Sequence, residues 1–397
     1  MELSPTAPIT VENFEPAQRF LRIAVVTETW PPEVNGVAVT LSKLIHHLGK
    51  RHHTIQLIRP RQDKDDEGLE HKGWSELLLR GLPIPRYPQL KLGLPSKKAL
   101  IKAWSTKRPD LVHIATEGPL SWSALQAAHT LRLPVTSDFR TNFHSYCEHY
   151  GVGWLSKPIV AYLRKFHNRT AFTMVPTLAM KYQLEALGFK NLKVVARGVD
   201  TQLFHPNKRS AAMRESWHVT PETTVLLSVG RLAAEKNLDL TTQTYQALIA
   251  AGRKVKMVFA GDGPMRGMIE SKCPDAVFMG MCSHEQLATL YASADLLLFP
   301  SLTETFGNVT LEAMACGTPV LAFDCAAASD FIHNHQSGWL IDSKEPHSYV
   351  ARALEITHDP AILARARESA RSSVAHLGWD EIASQVETIF QRAMEGQ

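Results

Sequence analysis

The chain has 397 residues, of which 44% are apolar and 21% charged, and this length is enough for two domains of ordinary size. Its five cysteines include no Cys-x-x-Cys pair, which argues against a disulfide framework or a structural metal and indicates a reducing compartment. No apolar run approaches the roughly 20 residues that cross a bilayer, and the first residues do not resemble a signal peptide. We therefore expect a cytoplasmic protein. The formal net charge of +4 alone says little about binding partners, because the positions of the charges matter more than their sum.

An apolar, β-branched run followed by a loop and a helical pattern recurs along the chain, which is typical of a parallel sheet with crossover helices. In the first half, strands are predicted at residues 22–27, 54–58, 111–114, 135–137 and 172–175. The pattern restarts in the second half, with strands predicted at 224–229, 256–260, 276–279, 296–299 and 320–323. Residues 197–209 contain Gly, Asp, Pro and Asn breakers without a clear period, so they predict a linker between two domains.

The predicted fold is therefore α/β, with two doubly wound domains that face each other across a cleft. We expect an N-terminal extension over residues 1–20, a first domain over 21–205 and a second over 206–397, whose last helix packs back on the first domain. Ligands of such sheets bind at the carboxyl ends of the strands, so the cleft is the predicted site.

The predicted strand 296–299 is followed by a loop and a helix start, with the sequence ETFGNVTLE from Glu304 to Glu312. Gly307 and Asn308 stand where the helix begins, so its free amides can hold a diphosphate at the positive end of the helix dipole. Each glutamate can accept hydrogen bonds from paired hydroxyls. The alternative is that both are solvated charges at a helix end. The strand before them and the glycine between them favour the binding site.

Two cations follow the predicted strand 224–229 in the sequence VGRLAAEKN. Arg231 and Lys236 lie at the carboxyl end of the strand, where fixed cations stabilise the charge that develops on a departing sugar diphosphate. The alternative is a surface ion pair of Arg231 with Glu235. In the first half, Gly36 follows the predicted strand 22–27 and would let the backbone approach a phosphate from the opposite wall, although it could also belong to a plain turn.

Together these motifs resemble the retaining glycosyltransferases of family 4, which have two facing Rossmann-like domains in the GT-B fold. The resemblance runs through TETWPPEVNGVAVT, FHNRT, RGVDTQLFHP, VGRLAAEK, GDGP and ETFGNVTLEAMACGTPV. It is strongest to the GDP-mannose-dependent α-mannosyltransferases, which include phosphatidylinositol mannosyltransferases, and several motifs are shared with sulfolipid synthases. It implies a metal-independent hexosyltransferase with mannose as the favoured sugar and a lipid or glycolipid acceptor. The alternatives are sulfoquinovosyl or glucosyl transfer to diacylglycerol, and nucleotide-sugar binding without transfer.

The resemblance also implies that the first domain forms the acceptor side of the cleft and that the second binds the nucleotide sugar, and it implies roles for individual residues. Glu304 would hold hydroxyls of the donor sugar, Glu312 the ribose, and Arg231 and Lys236 the diphosphate, which Gly36 would face from the first domain. The remaining predicted contacts are the backbone around Phe306, Gly307, Asn308 and Val309 at the diphosphate, and Met281 and Cys282 along the base. The identity of the base is left undecided, so the donor is GDP-mannose or a UDP-sugar, and no cofactor is implied.

The sequence departs from this family at Arg140, in the segment SDFRTNFH. Relatives commonly carry a histidine there that approaches the transferring sugar. A guanidinium can bind a phosphate or carboxylate but cannot accept a proton. His144, one helical turn on, is the candidate substitute, and the alternative is an ordinary helix histidine. No carboxylate is placed as a nucleophile, so we expect front-face substitution in which the departing phosphate oxygen helps to deprotonate the acceptor.

Residues 91–108 contain six cations and no acid. With Ser96 as the cap, they predict a helix with a basic face and an apolar face. The basic face carries Lys97, Lys98 and Lys102, and the apolar contacts are Leu100, Ile101 and Trp104. Such a helix predicts peripheral contact with the anionic inner face of the cytoplasmic membrane, and the alternative is a solvated helix packed on its sheet. Nucleic acid is disfavoured as a partner because the patch has a single aromatic residue.

Overall fold

The structure, a computed structural model, describes residues 20–31, 33, 36–84, 87–140, 156–302, 304 and 306–396. The strands of the first half are β1 Arg22–Val26, β2 Thr54–Pro60, β3 Glu70–His71, β4 Trp74–Leu79, β5 Gly81–Ile84, β6 Tyr87–Gly93, β7 Leu111–Ile114, β8 Val135–Asp138, β9 Phe172–Val175 and β10 Leu192–Val194. Eight of them form one sheet in the order β10-β9-β8-β7-β1-β2-β4-β3, which is parallel except for β3. The other two, β5 and β6, form a separate antiparallel hairpin.

The helices of the first half cover this sheet. Among the described residues they are α1 Gly36–Lys50, α2 Lys97–Thr106, α3 Pro119–Thr130, α4 Ser156–His167 and α5 Leu178–Ala186. In α1, apolar residues recur at spacings of three and four, so that one stripe of the helix is buried against the sheet. Leu41, Leu44 and Leu48 from this stripe share a core with Ile23 of β1.

The second half contains a sheet of six strands: β11 Thr224–Val229, β12 Val255–Ala260, β13 Val277–Phe278, β14 Leu296–Phe299, β15 Val320–Phe323 and β16 Gly338–Ile341. All neighbours are parallel, in the order β13-β12-β11-β14-β15-β16. The helices are α6 Ala211–Ser216, α7 Leu238–Ala250, α8 Arg266–Lys272, α9 His284–Ser293, α10 Asn308–Ala315, α11 Ala326–Phe331, α12 His347–Ile356, α13 Pro360–Val374 and α14 Trp379–Glu395. Short 3₁₀ turns lie at Pro206–Lys208 and Ala234–Lys236.

The strand order of the second sheet is that of a doubly wound, Rossmann-like domain. In this order the first three strands are added toward one edge of the sheet and the last three toward the other. Here the switch point between these two halves lies between β11 and β14. The first sheet has a corresponding point between β1 and β7. Ligands of such sheets bind beside the loops that leave the strands at the switch point. The loops after these four strands are therefore the places to search for a site.

The predicted parallel α/β architecture is confirmed, and five strands match at both ends: 111–114, 172–175, 224–229, 296–299 and 320–323. The prediction did not include β3, β4, β5, β6, β10 and β16. In β4 every residue is half-buried, so WSELLL has no alternating pattern that would identify a strand. The strand β16 is only four residues long and begins with glycine, a residue depleted in strands.

The predicted basic helix exists as α2, but two expectations about it are wrong. Ser96 occupies the N-cap position, yet its hydroxyl donates to the carbonyl of Leu94 and does not cap the helix. Leu100 and Trp104 are fully buried in the core of the first domain, and the Trp104 indole donates to Gln56 Oε1 at 3.0 Å. The apolar face therefore packs on the sheet. The three exposed lysines remain at the surface: Lys97, Lys98 and Lys102.

The C-terminal helix α14 contacts the first domain. His47 Nδ1 on α1 lies 2.7 Å from Asp380 Oδ1, and Arg51 Nη2 lies 2.5 Å from Glu387 Oε2. These contacts join α1 to α14. The boundary near residue 205 stays a prediction. Within the described part of the chain, no helix is both long enough and apolar enough to cross a membrane.

Candidate active site

The loops after β11 and β14 meet at the switch point of the second sheet. Lys236 ends the 3₁₀ turn after β11, and its ammonium group forms an ion pair with Glu304, which follows β14. Ser301 Oγ donates to the same carboxylate at 2.9 Å. Next to Lys236, the side-chain amide of Asn237 donates to the carbonyl of Pro300 at 3.2 Å. The structure thus brings together two predicted site residues that are distant in sequence.

The helix α10 begins beside this ion pair. Gly307 is its N-cap residue, with φ +87°, a conformation that favours glycine, and Asn308 is the first helical residue, as predicted. Among the described residues, no side chain caps this helix. The amide of Thr310 donates to the carbonyl of Gly307 at 3.1 Å, so among the described residues the amides of Asn308 and Val309 remain for a ligand, at the positive end of the helix dipole. Val309 is half-buried in this turn.

Phe306 contributes differently from its neighbours. Its ring is buried and packs edge-on against Phe331, and its carbonyl accepts a hydrogen bond from the amide of Ala327 at 2.8 Å. The side chain therefore anchors the loop in the core. At Phe306, therefore, the backbone and not the side chain can contact a ligand.

Arg231 is paired differently from Lys236. Its guanidinium forms an ion pair with Glu235, and its side chain is 62% exposed. This is the surface pair that the sequence left open as the alternative. Of the two cations on this loop, Lys236 is therefore the one that pairs with Glu304 of the loop before α10.

Glu312 lies inside α10, four residues after Asn308. The hydroxyl of the buried residue Tyr291 donates to its carboxylate at 3.0 Å. Burial raises the pKa of Glu312 to about 7, although the hydrogen bond from Tyr291 acts in the opposite direction. The carboxylate is therefore poised to ionise when hydroxyl donors reach it.

The GDGP turn packs against the loop after β11. The φ of Gly261 is +130°, and a Cβ atom there would lie 2.0 Å from the carbonyl oxygen of Gly230. The amide of Gly261 donates to the carbonyl of Gly280 at 2.8 Å, which brings the predicted base-binding stretch to the same edge. There, Met281 is 79% exposed, and Cys282 is half-buried with its thiol 3.5 Å from the Gly280 carbonyl.

Arg197 is a residue at the cleft to which the sequence assigned no role. A Cβ atom on Gly36, at the start of α1, would lie 3.3 Å from Arg197 Nη1. The same nitrogen donates to Asn308 Oδ1 at 3.3 Å, and the guanidinium lies over the ring of Phe306. Arg197 therefore lies between the first turns of α1 and α10. The sequence places Arg197 in the predicted linker, because its neighbours are turn formers and the short strand β10 before it is not predicted.

Arg140 lies at the carboxyl end of β8 and is buried. Its Nε atom lies 2.5 Å from Asp138 Oδ2, and His113 Nε2 lies 3.3 Å from the same oxygen. Burial opposes ionisation of Asp138, but Arg140 and His113 outweigh it and hold the pKa of this carboxyl at about 2. The other candidate in this segment, His144, lies outside the described residues.

Comparisons with known proteins show the family to which the chain belongs. Residues 34–203 match the model of Glycosyltransferase Family 4, and residues 210–373 match that of Glycosyl transferases group 1. A GDP-mannose-dependent alpha-mannosyltransferase of Mycobacterium tuberculosis is 31% identical over 380 residues, which cover 94% of this chain and 98% of that protein. The chain belongs to glycosyltransferase family 4. A sulfoquinovosyl transferase of Arabidopsis thaliana is 28% identical over 90% of this chain and 71% of that protein.

Solved structures give the same fold. A sucrose-phosphate synthase from Thermosynechococcus elongatus superposes with a TM-score of 0.73 at 18% identity, covering 95% of this chain and all of that one. An Anabaena protein in complex with UDP gives a TM-score of 0.73 at 17% identity, over 94% of this chain and 100% of that one. The predicted GT-B fold, with two Rossmann-like domains, is confirmed, and the chain is a glycosyltransferase that uses a nucleotide-sugar donor.

Proposed function

We propose that this glycosyltransferase is a retaining hexosyltransferase that moves mannose from GDP-mannose to a hydroxyl of a lipid or glycolipid. The observation that carries the proposal is the ion pair of Lys236 with Glu304 beside the uncapped start of α10. A diphosphate at this helix start would draw the ammonium group of Lys236 toward its oxygens. Glu304 would then accept hydrogen bonds from hydroxyls of the donor sugar.

In the proposed reaction, the bond between the anomeric carbon and the diphosphate oxygen breaks. The acceptor oxygen bonds to the same face of the sugar, and its proton passes to the departing phosphate oxygen. Lys236 and the amides of α10 stabilise the charge that develops on the leaving group. A covalent glycosyl-enzyme adduct detected by mass spectrometry would contradict this front-face path.

The choice of donor and acceptor rests on relatives. Three proteins 29–31% identical to this chain are named GDP-mannose-dependent alpha-mannosyltransferases. Other relatives are named for phosphatidylinositol dimannoside, diacylglycerol and inositol phosphate. A thermal-shift screen of GDP, UDP and their sugars tests the donor, because a ligand that binds the folded state raises the midpoint. A response to UDP-glucose and not to GDP-mannose would favour the alternative, glucosyl transfer to diacylglycerol.

The raised pKa of Glu312 predicts that nucleotide affinity depends on pH. Hydroxyl groups of the ribose donate to the ionised carboxylate, and with a pKa of about 7 the ionised fraction falls about tenfold between pH 8 and pH 6. The dissociation constant of the nucleoside diphosphate should therefore rise about tenfold over this interval, as measured by calorimetry. Glu312→Gln removes the titration and controls for protonation of the phosphates themselves. Equal pH dependence in both proteins would contradict the role of Glu312.

The exposed lysines of α2 support a contact with an anionic membrane surface. Because Leu100 and Trp104 are buried, we propose that the contact is electrostatic and without insertion of the helix. Flotation with vesicles containing about 30% anionic lipid should recover the protein at low salt and lose it at about 0.5 M salt. Replacing Lys97, Lys98 and Lys102 by glutamine should reduce recovery, whereas Lys190→Gln, an exposed lysine elsewhere in the first domain, should not. Binding that persists in the triple variant would contradict this surface.

A further inference from the structure

The cleft contains two buried arginines that the proposed donor site does not require. Arg140 bonds to Asp138 through Nε, and among the described residues its two terminal nitrogens have no hydrogen-bond partner. Arg197 bonds to Asn308 through Nη1, and its buried Nε has no partner among the described residues. Each guanidinium therefore has N–H groups without a partner among the described residues. A guanidinium can only donate hydrogen bonds, so these groups need an acceptor.

The charges around these two arginines do not balance. Burial and the like charge of Arg140 together lower the pKa of Arg197 to about 10, although Glu304 and Asp138 act in the opposite direction. The two guanidinium groups therefore lie within electrostatic range of each other. The nearby carboxylates are already engaged: Asp138 with Arg140 and His113, and Glu304 with Lys236. No ion pair of Arg197 with a carboxylate exists among the described residues. A buried cation without an anion is costly, so a ligand anion would relieve it.

The position of Arg140 indicates which ligand supplies the anion. Arg140 follows β8 of the first sheet. The two cations predicted to bind the diphosphate, Arg231 and Lys236, follow β11 of the second sheet. Arg197 lies between the two and can contact an anion on either side. A negative charge held by Arg140 would therefore sit on the first-domain side of the cleft, facing the donor sugar. That side is where the acceptor is expected.

We propose that Arg140, supported by Arg197, binds a negatively charged group on the acceptor, a carboxylate or a phosphate, next to the hydroxyl that receives the sugar. The proposal rests on the proposed function and specifies its acceptor class. It also gives a reason for the arginine where relatives commonly carry histidine. Charge-assisted hydrogen bonds to a guanidinium are about twice as strong as neutral ones, so the anionic acceptor should be selected over a neutral one.

Paired probes test this. The full-length protein, loaded with the nucleoside diphosphate that binds best, is titrated with glucose against glucuronate and with myo-inositol against myo-inositol 1-phosphate. At least one anion should bind about tenfold or more tightly than its neutral partner, and the pair that shows this distinguishes a carboxylate from a phosphate. Arg140→Gln should remove the preference, and Arg80→Gln, an exposed arginine of the same domain, should keep it. Equal binding of both members in both pairs, or a preference that survives in Arg140→Gln, would overturn the proposal.

The affinity for the nucleoside diphosphate is measured in the same variants. It should change by less than about threefold in Arg140→Gln, because the anion that Arg140 binds is not the diphosphate. If this variant loses nucleotide affinity as strongly as anion affinity, the charge belongs to the donor and the proposal is wrong. A wild-type protein that binds no nucleotide would instead refute the proposed function, and the sugar pairs can then be titrated without nucleotide. A circular dichroism spectrum and melting midpoint for each variant exclude unfolding as the cause.

Discussion

Replacing Lys236 by methionine should lower kcat/KM for sugar transfer by about 10²- to 10³-fold. The substitution keeps an unbranched side chain, one atom shorter, and removes the positive charge that pairs with Glu304 at the switch point. The leaving diphosphate then loses a fixed cation at the moment when its charge develops, so most of the loss should appear in kcat. Steady-state kinetics with GDP-mannose as the varied substrate measures it.

The matched control is Lys272→Met. Lys272 also forms an ion pair, with Asp239 at 2.6 Å, but on the surface of the same domain. Exposed pairs contribute about 0–1 kcal/mol, and neither Lys272 nor Asp239 is a predicted site residue, so activity should be unchanged. If Lys236→Met transfers sugar at the wild-type rate, or both variants lose activity equally, the ammonium group of Lys236 does not act on the leaving group.

Gly261→Ala should destabilise the protein by about 3 kcal/mol. The new methyl group would lie 2.0 Å from the carbonyl oxygen of Gly230, and φ is +130°, a conformation that alanine rarely adopts. The contact is between two backbone segments, so no flexible side chain can move away to relieve it. Equilibrium unfolding in urea should show a lower midpoint in the variant.

Gly267→Ala is the control for this substitution. Gly267 lies in α8 of the same domain with ordinary helical φ, and nothing lies within 4 Å of its Cβ position. Alanine should leave stability unchanged or raise it by up to about 1 kcal/mol, because its helix propensity is higher. Two variants of equal stability would mean that the GDGP turn and the loop after β11 do not pack as closely as the structure has them.

The sequence predicted best those features that depend on neighbouring residues. The strands β11 and β14 are almost wholly buried, so their continuous apolar runs identify them without further information. The start of α10 could also be predicted, because Gly307 supplies the left-handed residue before the first turn. The roles assigned from the family resemblance to Glu304, Glu312, Arg231 and Lys236 stay predictions that the experiments above test.

Features that depend on tertiary contacts could not be predicted. The pattern of α2 is the same whether its apolar face meets a membrane or a sheet, and the burial of Leu100 and Trp104 in the core distinguishes the two cases. Two cations on one loop, Arg231 and Lys236, take different carboxylates, and which pairs with Glu304 depends on a loop 68 residues away. The turn formers around Arg197 predict a linker, whereas its side chain bonds to Asn308 at the start of α10.

The most direct test of the donor site is transfer itself, measured in wild type and Glu304→Ala. Purified protein is incubated with radiolabelled GDP-mannose and with UDP-glucose, together with phosphatidylinositol or diacylglycerol in mixed micelles, and the lipid phase is analysed for incorporated sugar. We predict label in a lipid from one donor with the wild type and at least about a hundredfold less with Glu304→Ala, whose melting midpoint should be close to that of the wild type. Equal incorporation by the two proteins, or donor binding without transfer to any lipid, would contradict the proposal.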